Sequence, residues 1–211
     1  MIKLYVIENA PPLVSSAGRC FLLLEELEID YETIGIKFSE RQHKSEEYLK
    51  INPNGKIPTM DDDGFILWES MAINKYLSKK YKPELLGNDD KESALVEQWC
   101  IWGLSEYQTP LLGALRHGMM LAPEKRDPSI FEGESKKLHN LHSILNNALE
   151  GNDFLVGNHY TLADLQVALG VSGVFLVNIS LEEFPNLNRW LKSITSRPAF
   201  QKLQSQSKRP H

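Results

Sequence analysis

The groups able to do chemistry concentrate in two stretches, Asn52-Pro53-Asn54-Gly55-Lys56-Ile57-Pro58 and Glu69-Ser70. Asn-Pro and Asn-Gly are turn dipeptides. Lys56 is a fixed cation just before a short strand, and Pro58 follows an apolar residue where that strand should begin. Glu69 and Ser70 fall at a helix N-terminus, where unpaired backbone N–H groups and the helix dipole favour a bound carboxylate. A turn, a cation, a Pro-interrupted strand and a helix start together make a platform for a small, extended, acidic ligand.

Elements of two kinds must position these groups. Ile2 to Ile7 is short, β-branched and aromatic, and reads as a strand. A loop with Pro11-Pro12 follows, and Ser15-Ser16 offers an N-cap. Cys20, Leu23, Leu24 and Leu27 then recur at helical spacing, predicting a helix from about Ser16 to Glu28. Tyr31 to Ile36 predicts a strand, Ser45 to Ile51 a short helix and Ile57 to Met60 a third strand. Asp61-Asp62-Asp63-Gly64 reads as a hairpin turn into a strand over Phe65 to Trp68. A helix over Glu69 to Tyr81 follows, with Ile73, Tyr76 and Leu77 facing inward. The order βαβ, helix, ββα is that of a thioredoxin-like α/β domain.

Lys82-Pro83 and Gly87-Asn88-Asp89-Asp90 read as a linker, after which the pattern is wholly helical. The predicted organisation is a thioredoxin-like domain over 1–82, a linker over 83–89 and an all-helical bundle over 90–211. Leu95, Trp99 and Trp102 mark a long helix interrupted near Pro110 and Gly113. Leu138, Leu141, Leu145, Ala148 and Leu149 mark a second, and Leu187, Trp190, Leu191 and Ile194 a third. Leu162 to Val177 is apolar on nearly all sides, as suits a central buried helix. It starts at Thr161-Leu162-Ala163-Asp164, a capping box with Asp in place of the usual Glu or Gln.

The totals exclude several classes. The chain of 211 residues carries a spread net charge of −5 rather than the basic face of a nucleic-acid binder. The basic tail Lys208-Arg209 is too short to alter that. Cys20 and Cys100 are far apart with no CxxC, against both a disulfide framework and a zinc site, and no metal is expected. No stretch is apolar enough for a signal peptide or a membrane span, which predicts a soluble, cytoplasmic protein.

In this order and at this spacing, the two halves, the N-P-N-G-K-I-P turn, the Glu69-Ser70 pair and the T-L-A-D box resemble a cytosolic glutathione S-transferase over nearly the whole chain. The theta-like group is the nearest match. Leu13-Val14-Ser15-Ser16-Ala17-Gly18-Arg19 resembles its active-site opening L-V-S-x-x-x-R. Gln42-His43-Lys44-Ser45-Glu46-Glu47-Tyr48-Leu49-Lys50-Ile51-Asn52 resembles its Q-H-K-S-x-E-F-L-x-I-N segment, and Phe65-Ile66-Leu67-Trp68-Glu69-Ser70 its F-I-L-T-E-S. Two departures stand out: the loop before Ser15 is longer, and few residues follow Pro198.

The resemblance implies glutathione as co-substrate, small hydrophobic electrophiles or organic peroxides as second substrate, and a homodimer. It implies that Ile57 lends its backbone to the cysteinyl unit, with Pro58 cis. It implies that Glu69 pairs with the γ-glutamyl ammonium and that Ser70 holds the neighbouring carboxylate. His43, Lys44 and Lys56 are its candidates for the glycyl carboxylate. Ser15 is the catalytic candidate, donating its hydroxyl proton to the glutathione sulfur; the thiolate is the nucleophile, and Ser15 is not.

Ser16 is the rival if the long loop shifts register, and otherwise an N-cap. Tyr5 lies too far ahead of Arg19 to match the tyrosine of other classes and reads as a strand residue. Cys20 falls on an apolar helix face and reads as buried and structural, and Arg19 as a structural charge. For the electrophile, Trp102, Ser105, Glu106, Tyr107, His117 and Met119-Met120 fall in the matching region, with Glu106 a candidate to reach the partner subunit's glutathione. The alternatives are a glutathione-dependent disulfide reductase or isomerase, disfavoured by Ala17 where such relatives carry Cys, and a non-catalytic binding module.

Overall fold

The structure, a computed structural model, describes residues 1–207; the Lys208-Arg209 tail lies outside them. The chain forms two compact units, one of Met1–Pro83 with the C-terminal segment from Arg197, the other Glu84–Ser196.

The first unit is built on a four-stranded sheet in the order β2-β1-β3-β4, with β1 at Ile2–Ile7, β2 at Tyr31–Ile36, β3 at Thr59–Asp62 and β4 at Phe65–Trp68. β1 and β2 are parallel, whereas β3 runs antiparallel to both β1 and β4. Helix α1 (Gly18–Glu26) is the crossover between β1 and β2 and is buried from Gly18 to Leu24. Helix α2 (Glu46–Ile51) is capped by the Ser45 hydroxyl, and α3 (Ser70–Tyr81) follows β4 directly. This is the thioredoxin-like arrangement that the sequence predicts.

The third strand starts two residues later than predicted, and two of the aspartates assigned to the turn lie within it. Pro58 has no N–H to donate to a ladder, and Thr59, opposite Tyr5, is the first paired residue. The turn contracts to Asp63 and Gly64, both with positive φ (50° and 94°), the two-residue hairpin that Asp-Gly favours. Asp62 is tolerated in the strand because its carboxylate accepts from the Tyr76 hydroxyl at 2.7 Å and pairs with Lys80 on α3. Both partners hold its carboxyl below the usual range. Ile73 and Leu77 of α3 are fully buried, while Tyr76 is half-buried.

The C-terminal helix α9 (Pro198–Ser207) corrects the expected domain division, which placed all of 90–211 in the helical bundle. Arg197 donates to both carboxylate oxygens of Glu26 at 2.7 Å, Lys202 pairs with Glu25, and Ala199, Phe200 and Leu203 are buried. These contacts fasten α9 to α1.

The second unit is helical: α4 (Asp90–Trp102), α5 (Gln108–Leu115), α6 (Pro128–Ala148), α7 (Leu162–Ser172) and α8 (Pro185–Thr195). The predicted interruption falls upstream of Pro110, as a π-helical turn over Gly103–Tyr107. Pro110 cannot donate to the carbonyl four residues back, and a widened turn just before it absorbs the lost bond. A second π turn spans Arg116–Met120. The apolar stretch after Thr161 is buried through α7, but its last turn is a 3-10 helix over Gly173–Val177 in which Phe175 and Leu176 are exposed.

The core of this unit gathers Leu138, Leu145, Val167, Val171, Leu187 and Trp190. Asp164 closes the capping box at the head of α7 and does more than the sequence assigns to it. Its buried carboxylate accepts from the Leu155 N–H, the Thr161 N–H and hydroxyl, and the Trp190 indole, all within 3.0 Å. Burial nevertheless raises its pKa above the ordinary value. Among the described residues no helix is long and apolar enough to cross a membrane, and no acidic, histidine and cysteine group is arranged to hold a metal.

Candidate functional site

The Asn52–Pro58 turn leaves α2 and enters β3. Asn52, almost fully buried, holds it from within: its C=O accepts the Gly55 N–H at 2.9 Å and its Oδ1 accepts the Asn54 N–H at 3.0 Å. Its Nδ2 donates to the Lys56 carbonyl at 2.9 Å and to Thr59 Oγ1 at 3.0 Å. Tyr48 of α2 adds its hydroxyl to the same carbonyl at 2.8 Å. Gly55 has φ of +56°, and a Cβ there would lie 2.5 Å from the His43 carbonyl and 2.7 Å from Lys44 Nζ, so only glycine fits. The turn therefore packs directly on the 3-10 turn Gln42–Lys44 and brings His43 and Lys44 beside it.

The Ile57–Pro58 bond is cis. Among the described residues, neither the N–H nor the C=O of Ile57 is bonded within the protein. Because Thr59 stands opposite Trp68 in the ladder, the next step outward places Pro58 opposite Glu69. Sheet register thus joins the two stretches that the sequence marks separately.

Glu69 has φ of +73° and ψ of +116°, a left-handed backbone in which a non-glycine residue is rare and strained, and its side chain is exposed without a capping bond. Ser70 is buried and opens α3. The first helical bond runs from the Ile73 N–H to the Glu69 carbonyl at 3.0 Å. The N–H groups of Ser70, Met71 and Ala72 therefore precede the intrahelical ladder, the arrangement that attracts an anion.

The cations divide by environment. Lys44 donates to the Asn54 carbonyl at 2.9 Å, so its ammonium also braces the turn. His43 is half-buried, its ring stacked on Phe38 with centroids 4.0 Å apart, and its Nδ1 is buried without a partner among the described residues. Lys56 is exposed and, among the described residues, forms no ion pair.

Ser15 follows a 3-10 turn at Pro12–Val14 and is extended, with φ of −130° and ψ of 171°. Its Oγ accepts the Ala17 N–H at 3.2 Å, and its carbonyl accepts the Gly18 N–H at 2.9 Å. The cap expected of Ser16 is not made: the N-cap position of α1 falls on Ala17 with no side-chain cap, and Ser16 lies inside the turn that leads into the helix. With a lone pair of Ser15 Oγ occupied, its O–H proton remains available to an outside acceptor.

Tyr5 lies in β1, edge-on to Tyr48. Cys20 is fully buried; its thiol reaches the Ser70 carbonyl at 3.8 Å, and burial pushes its pKa up. Arg19 is buried as well, and its carbonyl accepts from Asn74 Nδ2 at 3.0 Å. These links lock the start of α1 to the start of α3.

In the second unit, Tyr107 leaves the set of substrate-pocket candidates. It is buried in the core, with its hydroxyl 2.8 Å from His142 Nε2. Trp102 is half-buried against Trp99, Ser105 and Glu106 are exposed on the π turn, and His117 Nδ1 accepts the Asp127 N–H at 3.1 Å. Met119 and Met120 are exposed. Sequence reasoning missed Tyr48, Asn52 and Thr59 as supports of the platform. Only the helix spacing that puts Tyr48 and Asn52 on one face hinted at them.

A thioredoxin-like unit with an unpaired backbone edge beside a helix N-terminus, followed by a helical unit, makes a two-part protein with a site for an extended acidic ligand. Residues 13–79 match the glutathione S-transferase N-terminal domain and residues 109–198 its C-terminal domain. The chain is similar to the probable glutathione S-transferase GSTF2 of Oryza sativa subsp. japonica, at 33% identity over 91% of this chain and 92% of that protein. It is 31% identical to glutathione S-transferase GstB of Escherichia coli K12, over 90% of this chain and 92% of GstB. It also superimposes on the solved structure of a glutathione S-transferase-I bound with lactoylglutathione, with a TM-score of 0.88 and 30% identity over 97% of this chain and 99% of that one. The chain belongs to the glutathione S-transferase family. It is a transferase with glutathione as co-substrate.

Proposed function

We propose that this transferase joins glutathione to small hydrophobic electrophiles, and that it is a theta-like enzyme in which the Ser15 hydroxyl donates to the glutathione sulfur. The observation that carries this reading is the Ser15 geometry. Its Oγ accepts the Ala17 N–H at the head of α1, so its own proton is the group left to donate. A free thiol with pKa near 8.5 is only a few per cent ionised at pH 7, and lowering it by about two units takes roughly 2.7 kcal/mol of preferential thiolate stabilisation. One charge-assisted hydrogen bond, at about 1.5–3 kcal/mol, with a helix-dipole contribution covers that amount.

The remaining residues bind. The free N–H and C=O of Ile57 suit the cysteinyl unit; Glu69 suits the γ-glutamyl ammonium, and Ser70 with the open end of α3 its carboxylate. Lys56 and His43, with Lys44 bracing the turn, suit the glycyl carboxylate, where a point cation suffices. Ser16 is the reserve donor. Trp102, Ser105 and the exposed methionines are the candidates for the electrophile side, and Glu106 is the candidate to meet a partner subunit's glutathione in a cytoplasmic homodimer.

Retention on immobilised glutathione tests the binding reading. Wild type and Ser15→Ala should be retained, while Glu69→Ala and Ser70→Ala should flow through. A folded wild type that flows through defeats the reading. A panel of aryl halides, epoxides and organic peroxides then assigns the second substrate.

A further inference from the structure

Tyr48, Asn52 and Thr59 touch none of the groups just assigned to the ligand, yet all three are buried, with exposures of 3%, 2% and 0%. Their polar atoms close on one another beneath the Ile57–Pro58 edge. Asn52 Nδ2 has two protons, one for the Lys56 carbonyl and one for Thr59 Oγ1. The Thr59 hydroxyl, accepting from Asn52, keeps its own proton for Tyr48 Oη at 3.0 Å. Tyr48 in turn gives its proton to the Lys56 carbonyl. Each proton has one acceptor, and the network is fully satisfied.

Its target is a single peptide plane. The Lys56 carbonyl receives two hydrogen bonds from the interior, and the Ile57 N–H belongs to the same peptide unit. In a planar trans peptide the C=O and N–H point in opposite directions. Pinning the carbonyl inward therefore turns the Ile57 N–H away from the interior. With its inner donors gone, that carbonyl would be a buried acceptor without partners. Rotation of the plane toward water would relieve it and swing the N–H out of position.

We infer that Tyr48, Asn52 and Thr59 are positioning residues that aim the Ile57 backbone at glutathione, setting its affinity without setting thiol ionisation. This rests on the role proposed for Ile57 above. The network lies between α2 and β3, whereas the proposed donor to sulfur stands at the head of α1, so the two effects separate kinetically.

The test uses the full chain with 1-chloro-2,4-dinitrobenzene as electrophile, in Tyr48→Phe and in Tyr48→Phe/Thr59→Val, which remove the hydroxyls with little change of shape. The KM for glutathione should rise about three- to tenfold for Tyr48→Phe, as expected for one lost hydrogen bond. The double variant should raise it at least as far. The kcat at saturating glutathione and the pH midpoint of kcat should stay near wild type. Ser45→Ala controls for general weakening of α2, since the Ser45 hydroxyl caps that helix at the Tyr48 N–H at 3.2 Å without joining the network. It should leave the KM for glutathione near wild type.

The inference is overturned if the folded variants, checked by thermal melting, keep the wild-type KM for glutathione. It is equally overturned if Ser45→Ala raises that KM as much, or if kcat falls as far as KM rises. A wild type showing no saturable dependence on glutathione would defeat the Ile57 reading instead.

Discussion

Replacing Ser15 by alanine removes one hydroxyl from a backbone that alanine adopts without strain, since φ of −130° and ψ of 171° are extended. Two things are lost. The Ala17 N–H loses its acceptor at 3.2 Å, one turn hydrogen bond worth about 1 kcal/mol in stability. The bound sulfur loses a charge-assisted donor of about 1.5–3 kcal/mol, which at 1.36 kcal/mol per unit raises the thiol pKa by about one to two units. Below the wild-type thiol pKa, kcat/KM should therefore fall about ten- to a hundredfold. As the pH rises past the pKa of free glutathione, both enzymes hold ionised sulfur and the gap should close. Below the wild-type thiol pKa both enzymes bind the neutral thiol and affinity for glutathione should change little, because the platform at Ile57 and Ser70 is untouched; above it, the lost thiolate donor should weaken binding by linkage. The assays are the ultraviolet absorbance of the bound thiolate against pH and the pH profile of kcat/KM, with Ser16→Ala alongside. A Ser15→Ala thiol pKa matching wild type, or a rate loss independent of pH, would refute the argument. If Ser16→Ala alone shifts the thiol, the donor is Ser16.

Two further predictions concern the helical unit. His142 is buried beside Tyr107, and burial lowers its pKa from 6.5 to about 4. Between those values the unfolded chain binds a proton that the folded one does not, so this contribution to stability is complete above pH 6.5 and is lost as pH falls toward 4. It amounts to about 3 kcal/mol. Urea unfolding of Tyr107→Phe/His142→Leu, which removes both partners, should show a shallower acid slope than wild type; an equal slope would exclude His142 as its source. Asp164→Ala should destabilise by about 3 kcal/mol or more, well beyond a cap, because it orphans buried donors on Thr161 and Trp190 and a half-buried one on Leu155. A melting temperature close to wild type would contradict that.

The sequence by itself determined the elements with strong local signals. The strand at Ile2–Ile7, a hairpin within Asp61–Gly64 and the cap at Thr161 depend on residues a few positions apart, and periodicity or turn chemistry makes them legible. The same holds for the turn at Asn52–Pro58 and the pair Glu69-Ser70, whose residue types announce a binding platform before any fold is known. Tertiary structure decided what faces what. The resemblance put Tyr107 among the candidates for the electrophile, and only packing against α6 set it beside His142 in the core instead of in a pocket. The T-L-A-D box revealed a cap and hid the Trp190 indole that arrives from α8. The C-terminal helix joined the first unit because Arg197 finds Glu26, a pairing with no local trace. Register set Glu69 opposite Pro58, and side chains from α2 and β3 set the direction of the Ile57 N–H. Local propensity is written in neighbouring residues, whereas hydrogen-bond partners and burial arise between distant ones, and a single sequence records no pairing between them.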